Sequence, residues 1–373
     1  MKIAITGAAG SLGRRLIWHC ARVEKAERIV AIIRSEYDLA MHHDLFKRVL
    51  FPQEFERIHW MKGDVTNLPR MTKALHGCES IIHAAALKRV DSLLDNPTET
   101  IETNIFGVVT MLEAAMANSL KKFIFVSSDK AVAPENAYGA TKMLGEHLVR
   151  CFNAYSLPRG MECLSVRYGN VLGSRGSVYW IWRKELEKEF PRIQLTHQQM
   201  TRYFMTFKMA IDTIMVAYYQ GQAGHTIIPL CQSYYLTNFI NALVEICASA
   251  KKHNVVVETC GLRKGGEKLH ESLCTQRELY ESVLELRRGP SKFLALCPDS
   301  QTTIQSLPKE TFLLNSNVLE YPTNQLIEKP MMQEINTFTF EDTTLAQFDT
   351  MQCIPVAQKF DMALYESKCE GTA

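Results

Sequence analysis

No stretch of this chain holds the roughly 18 consecutive apolar residues of a membrane-spanning helix, which excludes an integral membrane architecture of that kind. Paired cysteine spacing is missing too. The 11 cysteines are scattered, no two of them separated by two residues, and several lie inside apolar runs. That pattern reads as reduced, buried thiols and excludes a zinc ribbon or a disulfide framework. Excess charge of one sign is also absent. A formal net charge of +2 without a basic cluster argues against nucleic acid or a membrane surface as partner and leaves small molecules. The opening "MKIAITGAAGSLGRRL" puts glycine and charge where an export leader needs an apolar stretch, so the expected compartment is the cytoplasm. Arginine disappears after Arg288, and residues 291–373 carry 5 Lys against 11 Asp plus Glu. This tail differs in kind from the body.

What is present is an ordinary globular composition, 46% hydrophobic and 22% charged over 373 residues, long enough for two lobes. The first 34 residues read strand, glycine-rich turn, helix, strand: "KIAIT", "GAAGSLG", "RRLIWHCARVEKAE", "RIVAIIR". The alternation continues with "IHWMKGDV" as a third strand, "NLPRMTKALHG" as a helix and "SIIHAAA" as a fourth strand. A long helix over "TIETNIFGVVTMLEAAMANS", a fifth strand "KKFIFVSS", a helix through "YGATKMLGEHLVRCFNAYS" and a sixth strand "ECLSVRYGNV" follow. Short apolar strands between helices imply an α/β fold with a doubly wound parallel sheet covered on both faces. Regularity weakens beyond Gly173, and the last residues offer only short strand-like pieces such as "NTFTF". The expected organisation is a dinucleotide-binding domain over 1–175, a smaller mixed α/β lobe over 176–290 with segments returning to the sheet, and an extension over 291–373.

Gly7, Gly10 and Gly13 follow the first strand and open the first helix. Such glycines let a pyrophosphate sit on free helix N–H groups at the positive end of the dipole. With Asp64 after the third strand, a dinucleotide site outweighs a bland packing turn. Nicotinamide cofactors are distinguished at the end of the second strand, where "IIRSEYD" stands. Arg34 and Ser35 suit the phosphate of NADP, and Glu36 leaves NAD open.

In "SSDKAVAPENAYGATK", Lys142 lies one helical turn after Tyr138, so both project from one face. A cation there favours phenolate, and a phenolate can take a hydroxyl proton while hydride leaves the same carbon. The spacing alone is common on helices, where it usually marks a surface pair. Its position after a fifth strand and a serine pair, in a chain opening with a dinucleotide turn, favours the chemical reading.

Together with "GDVTN", "HAAALKRVD", "NPTETIETNIFG", "SVRYGNVLGSRGSV", "MTRY" and "GEKLHE", these residues resemble an extended short-chain dehydrogenase/reductase. The resemblance is to the inverting UDP-N-acetylglucosamine 4,6-dehydratases, a group of polysaccharide biosynthesis proteins, and spans residues 1 to about 275. It implies a Rossmann-type domain with a substrate-binding lobe, and NADP held by Gly7, Gly10, Ser11, Leu12, Gly13, Arg34, Ser35, Asp64, Val65, Ala84, Ala85, Lys88, Asn104, Tyr138 and Lys142. It also implies a cycle. Tyr138, with Lys142 and Ser128, takes the carbon 4 hydroxyl proton; Lys130 removes the carbon 5 proton; Asp129 protonates the departing carbon 6 hydroxyl. The implied product is a 4-keto-6-deoxy sugar inverted at carbon 5, made for surface glycan or nonulosonic acid synthesis by a homo-oligomer. An adjacent charged pair on a solvated loop is the bland alternative for Asp129 and Lys130, but strand carboxyl ends are where ligands bind in open parallel sheets.

Candidate contacts to the substrate's own phosphates and sugar are Lys88, Asn170, Ser174, Arg175, Arg202, Arg263 and Glu267. His42 with His43, and His270 beside Glu271, lack the remaining ligands of a zinc site, so no metal is expected. "VYWIWRKELEKEF" reads as an amphipathic helix at a lobe contact, a subunit contact or a core face. The chain departs from the group in having Ser128 where Thr is usual, an additional glycine in "RKGGEK", and "KRVD" where His and Pro are common. The rival readings are a nucleotide-sugar 4-epimerase of the same fold, in which Asp129 and Lys130 would be incidental, and a non-catalytic NADP-binding sensor or scaffold.

Overall fold

A computed structural model of the chain describes residues 1–88, 95–231, 233–247, 254–263, 265–275, 277–278 and 283–297. Residues 89–91 of "KRVD" and the extension beyond residue 297, with its "NTFTF" piece, lie outside the described residues. In chain order the described strands are β1 (Lys2–Thr6), β2 (Arg28–Ile33), β3 (Ile58–Lys62), β4 (Ser80–His83), β5 (Lys122–Val126), β6 (Glu162–Val166) and β7 (Asn170–Val171). They continue with β8 (Arg192–Leu195), β9 (Thr201–Met205), β10 (Thr226–Pro229), β11 (Ser233–Tyr235), β12 (Val256–Thr259), β13 (Val283–Arg288) and β14 (Ser291–Leu296).

One large sheet has the order β13-β14-β10-β6-β5-β4-β1-β2-β3. From β3 to β10 the pairings are parallel, and β14 and β13 add an antiparallel edge. Side chains alternate across it: Ile3, Ile5, Ile29, Ala31 and Ile33 join one apolar cluster, while Ala4, Val30 and Ile32 join the other. Helices Ser11–Arg22, Glu36–Val49 and Phe207–Gln220 cover the first face through residues such as Leu16, Phe46 and Ile214. Helices Leu68–Ala74, Gly107–Ala117 and Ala137–Ser156 cover the second through Met71, Met111 and Val149. This is the Rossmann-type α/β architecture, and its strand order reverses between β1 and β4, where a crevice opens.

A second lobe is built from the three-stranded sheet β11-β9-β7, the parallel pair β12-β8 and helices Val178–Leu186 and Leu236–Ile246. The aromatic helix turns Tyr179, Trp182 and Leu186 into this lobe's own core against Phe204 and Phe239, and so serves as a core face.

Three elements differ from the sequence reading. The long helix expected over residues 100–119 is interrupted by a π-helical turn, Glu102–Phe106, between Pro97–Ile101 and Gly107–Ala117. A Cβ on Gly107 would lie 2.8 Å from a Val65 methyl, so any larger residue there would have to displace Val65. The sixth strand stops at Val166, and Asn170–Val171 leaves to pair with β9 in the second lobe. The boundary expected at residue 290 falls inside a hairpin, because Arg288 on β13 pairs with Ser291 on β14.

Candidate active site

The turn after β1 is built for close approach. Gly7 has φ +65°, and a Cβ there would sit 2.8 Å from the Ala84 carbonyl; a Cβ on Gly13 would sit 2.3 Å from Gly7 O. Thr6 Oγ1 accepts from the amides of Ala84 and Ala85, both at 3.1 Å, and so ties the β4 exit to the glycine turn. Helix Ser11–Arg22 starts at Gly10 with no side-chain cap, which leaves its first amides for an anion. These features fit a dinucleotide pyrophosphate. Arg175, expected among the substrate contacts, lies over this same turn: its amide donates to Ser11 Oγ at 2.9 Å and its guanidinium to Ala9 O at 3.3 Å. Burial and the charge of Arg175 together lower the pKa of Lys88, and they push Arg14 down to about 9. Cations therefore crowd the turn, an arrangement that an incoming phosphate relieves.

At the end of β2, Arg34 is exposed, and Ser35 accepts from Asp38 N at 3.2 Å to cap helix Glu36–Val49. The Glu36 carboxylate is drawn to Lys62 Nζ, 3.0 Å away. Asp64 accepts from the amide and hydroxyl of Thr66 and shapes the turn after β3, while Val65 packs beneath. Asn104, carried by the π-helical turn, exchanges hydrogen bonds with both backbone groups of Leu87 (2.8 and 2.9 Å) and donates to Thr141 Oγ1. It anchors the loop that bears Lys88.

Beyond β5, Ser128 Oγ accepts from Lys130 N (3.3 Å) and donates to Asp129 Oδ1 (2.8 Å), folding Asp129–Ala131 into a single 3-10 turn. Asp129 is fully buried, and its amide is held by Tyr168 O at 3.0 Å. Lys130 Nζ donates to Asp129 Oδ1 at 3.1 Å and lies 3.5 Å from Glu271 Oε1. Helix Ala137–Ser156, capped by Asn136 Oδ1 on Gly139 N at 2.9 Å, brings in Tyr138 and Lys142. A Cβ on Gly139 would stand 2.2 Å from Lys130 O, so glycine is what allows this helix to start against the Asp129–Lys130 turn.

The electrostatics differ from the sequence expectation. Lys142 turns its ammonium to Val126 O (2.7 Å) and the Phe125 ring (4.5 Å), and burial, opposed by Glu146, pushes it down to about 7. Burial pushes Tyr138 up to about 12; Lys130 is the leading charge opposing that rise, Asp129 adds to it, and a hydrogen bond with Ser128 counters it. Lys130 is thus the cation acting on Tyr138, and the phenol is raised because removal from water outweighs that one charge.

On the second lobe, Arg202 is 6% exposed and fully engaged. It donates to the carbonyls of Thr201, Lys268 and Leu269 and to Glu267 Oε1, while Glu267 Oε2 accepts from Arg263 N. Arg202 and Glu267 therefore organise the segment 263–271. Asn170, Ser174 and Arg263 line the same cleft. The additional glycine has a physical reason, since Gly265 and Gly266 have φ +98° and +92°, and a Cβ on Gly266 would meet Glu135 O. Glu271, which the sequence reading leaves out of the site, is 3% exposed; burial raises its pKa, but Lys130, Arg202 and Lys268 outweigh that and hold it below the usual carboxylate range. Among the described residues no three His, Cys, Asp or Glu side chains converge as metal ligands.

Ser128, Lys130, Tyr138, Lys142, Arg202, Glu267 and Glu271 line one cleft of about 1450 Å³, running from the glycine turn to Arg192 and Arg263. Asp129 is fully buried behind that lining and is joined to it through Ser128 and Lys130. Pockets for a single small ligand are roughly 300 to 1,000 Å³, so the space suits a dinucleotide together with a second nucleotide. Fold and cleft define a nucleotide-sugar dehydratase or epimerase of the short-chain dehydrogenase type. The chain belongs to the polysaccharide biosynthesis protein family, whose sequence profile matches residues 3–286. It is 31% identical over 278 residues to the inverting UDP-N-acetylglucosamine 4,6-dehydratase of Campylobacter jejuni, covering 74% of this chain and 78% of that one. Over 281 residues it is 31% identical to a UDP-glucose 4-epimerase of Rickettsia felis (75% and 79% covered) and 33% identical to an uncharacterised membrane protein of Methanocaldococcus jannaschii (74% and 81%). Among the described residues no helix is long and apolar enough to cross a membrane. Pen from Bacillus thuringiensis superposes with a TM-score of 0.76 at 28% identity, covering 90% of this chain and 96% of that one. The dTDP-glucose 4,6-dehydratase DesIV from Streptomyces venezuelae, solved with NAD, shares the fold at a TM-score of 0.60 and 18% identity, with 72% and 86% covered.

Proposed function

We propose that this chain is a 4,6-dehydratase that converts UDP-N-acetylglucosamine to a 4-keto-6-deoxy sugar with inversion at carbon 5, using NADP. The observation that carries the reading is the fully buried Asp129, paired with the half-buried Lys130 and fastened through Ser128 to the Tyr138 end of the cleft. A 4-epimerase has no task for that pair, and burying the Asp129 carboxylate is costly unless it is used or well compensated. NADP is favoured over NAD because the exposed Arg34 stands at the end of β2 where it can meet a phosphate, while the exposed Glu36 carboxylate is offset in charge by Lys62 Nζ 3.0 Å away.

The nicotinamide, when bound, supplies the hydride chemistry at carbons 4 and 6. Tyr138 serves as base only as phenolate, so its phenol first gives its proton to solvent, the step that the Lys130 ammonium beside it favours against burial. The phenolate then takes the carbon 4 hydroxyl proton, and Ser128 orients that hydroxyl. The resulting ketone acidifies carbon 5. Elimination then needs a neutral amine and a carboxylic acid, and one proton passing along the 3.1 Å hydrogen bond from Lys130 to Asp129 creates both. Lys130 removes the carbon 5 proton, Asp129 protonates the leaving carbon 6 hydroxyl, and the pair returns to its charged state as water departs. The test is product mass after incubation with UDP-N-acetylglucosamine and NADP: loss of one water supports the reading, and an isomer of unchanged mass sinks it in favour of the epimerase.

A further inference from the structure

Segment 266–271 belongs to the second lobe, yet it is fastened against the Asp129–Lys130 turn. Asn136 Nδ2 donates to Gly266 O (2.9 Å), Lys268 Nζ donates to Val132 O, and Arg202 pins the carbonyls of Lys268 and Leu269. The outcome is a buried carboxylate, Glu271, 3.5 Å from Lys130 Nζ and 3.4 Å from Lys268 Nζ. Lys130 Nζ therefore has two carboxylates within 3.5 Å, Asp129 and Glu271.

We propose that Glu271 is a positioning residue for water elimination: it keeps Lys130 charged until Lys130 passes its proton directly to Asp129. If Lys130 instead lost its proton to solvent, Asp129 and Glu271 would both remain buried as anions, with Lys268 and Arg202 the cations facing them. Transfer to Asp129 breaks one N–H bond and forms one O–H bond, and it leaves Glu271 as the single anion, paired with Lys268. The charged and titratable groups facing Lys130 are Asp129 on its own turn, Tyr138 on the following helix, Arg202 on β9, and Glu271 with Lys268 on the returning segment. Burial disfavours the ammonium and Arg202 opposes it, but Asp129 and Glu271 prevail and Lys130 sits above the ordinary lysine range. The inference rests on the dehydratase reading for what Lys130 does, though not for the charge it carries.

The test uses the full chain labelled with 13C at lysine Cε, with the Lys130 resonance identified by its loss in Lys130→Arg. The expected result is that Lys130 stays protonated at about pH 10.4, where an ordinary lysine is half titrated, and that Glu271→Gln lowers its midpoint by about one unit or more. The pH profile of carbon 5 deuterium exchange moves to lower pH by the same amount. Glu271→Asp, which draws the charge back by one methylene, gives a smaller fall in the same direction and covers the case in which the glutamine variant does not fold. An unchanged Lys130 midpoint in a folded variant overturns the proposal. Because the titration is read without sugar, a shifted midpoint in a protein that leaves UDP-N-acetylglucosamine untouched sinks the substrate reading alone.

Discussion

Asp129 and Lys130 differ from a surface charge pair in that neither can swing away: Ser128, Tyr168 and Glu271 hold them from three directions. Asp129→Asn is therefore expected to slow water elimination by about a hundredfold or more while Tyr138-dependent oxidation persists, visible as nicotinamide absorbance that rises and stays, whereas Lys130→Met slows both steps because Lys130 is also the cation beside Tyr138. Tyr138→Phe abolishes both signals. A pH dependence of stability follows from two buried histidines. His83, which accepts from Thr6 at Nδ1, and His42, beside Arg14, are driven by burial to about 3 and about 4 from an unfolded value near 6.5. Both stay neutral in the fold while the unfolded chain takes up protons, so stability present above pH 6.5 is lost as pH falls toward those folded values. Between pH 7 and pH 5 each histidine costs about 2 kcal/mol, measurable by urea unfolding. At this scale Tyr138, Lys142, Asp129 and Lys130 are legible because local spacing carries them. Glu271 is not, since its partner lies far off in sequence and only the folded return of segment 266–271 joins them. The same holds for Arg202, whose sequence context suggests phosphate while its surroundings supply carbonyls.

The glycine turn, the Ser128 turn and the start of the Tyr138 helix each depend on a missing Cβ. Gly13→Ala would drive a methyl into the backbone of Gly7 and Ala8, so the expected outcome is loss of nicotinamide-dinucleotide affinity by about tenfold or more together with lower thermal stability, measured by titration calorimetry and thermal unfolding. The βαβ opening is legible because strand, turn and helix follow one another without interruption. Helix Glu36–Val49 is the element the sequence reading passes over; its signals are Ser35 three residues before Asp38 and the buried His42, Leu45 and Phe46 on one face. The π-helical turn at 102–106 is not legible, because the sequence there reads as one continuous helix and the turn's long-range partners, such as Leu87 and Thr141 around Asn104, appear only in the fold.

Across the whole molecule, Arg167 joins the parts. At the end of β6 and 3% exposed, it binds Glu146 of the Tyr138 helix, Glu278 and Leu273 O of the returning chain. Arg167→Met strands the buried Glu146 carboxylate and frees the half-buried Glu278, and is expected to cost about 3 to 5 kcal/mol in chemical denaturation. The parallel sheet is legible from its apolar strands, whereas the antiparallel edge of β13 and β14 is not, since the buried Val283 and Leu286 stand three residues apart among charges in "VLELRR" and show no two-residue alternation. The lobes meet where Glu271 reaches Lys130, and the dehydratase reading stands or falls at that junction. Its most direct measurement is incubation with UDP-N-acetylglucosamine and NADP in deuterated water, reading product mass and carbon 5 configuration. The account predicts loss of one water, one deuterium at carbon 5 and inversion there; a sugar returned isomeric and unlabelled would contradict it.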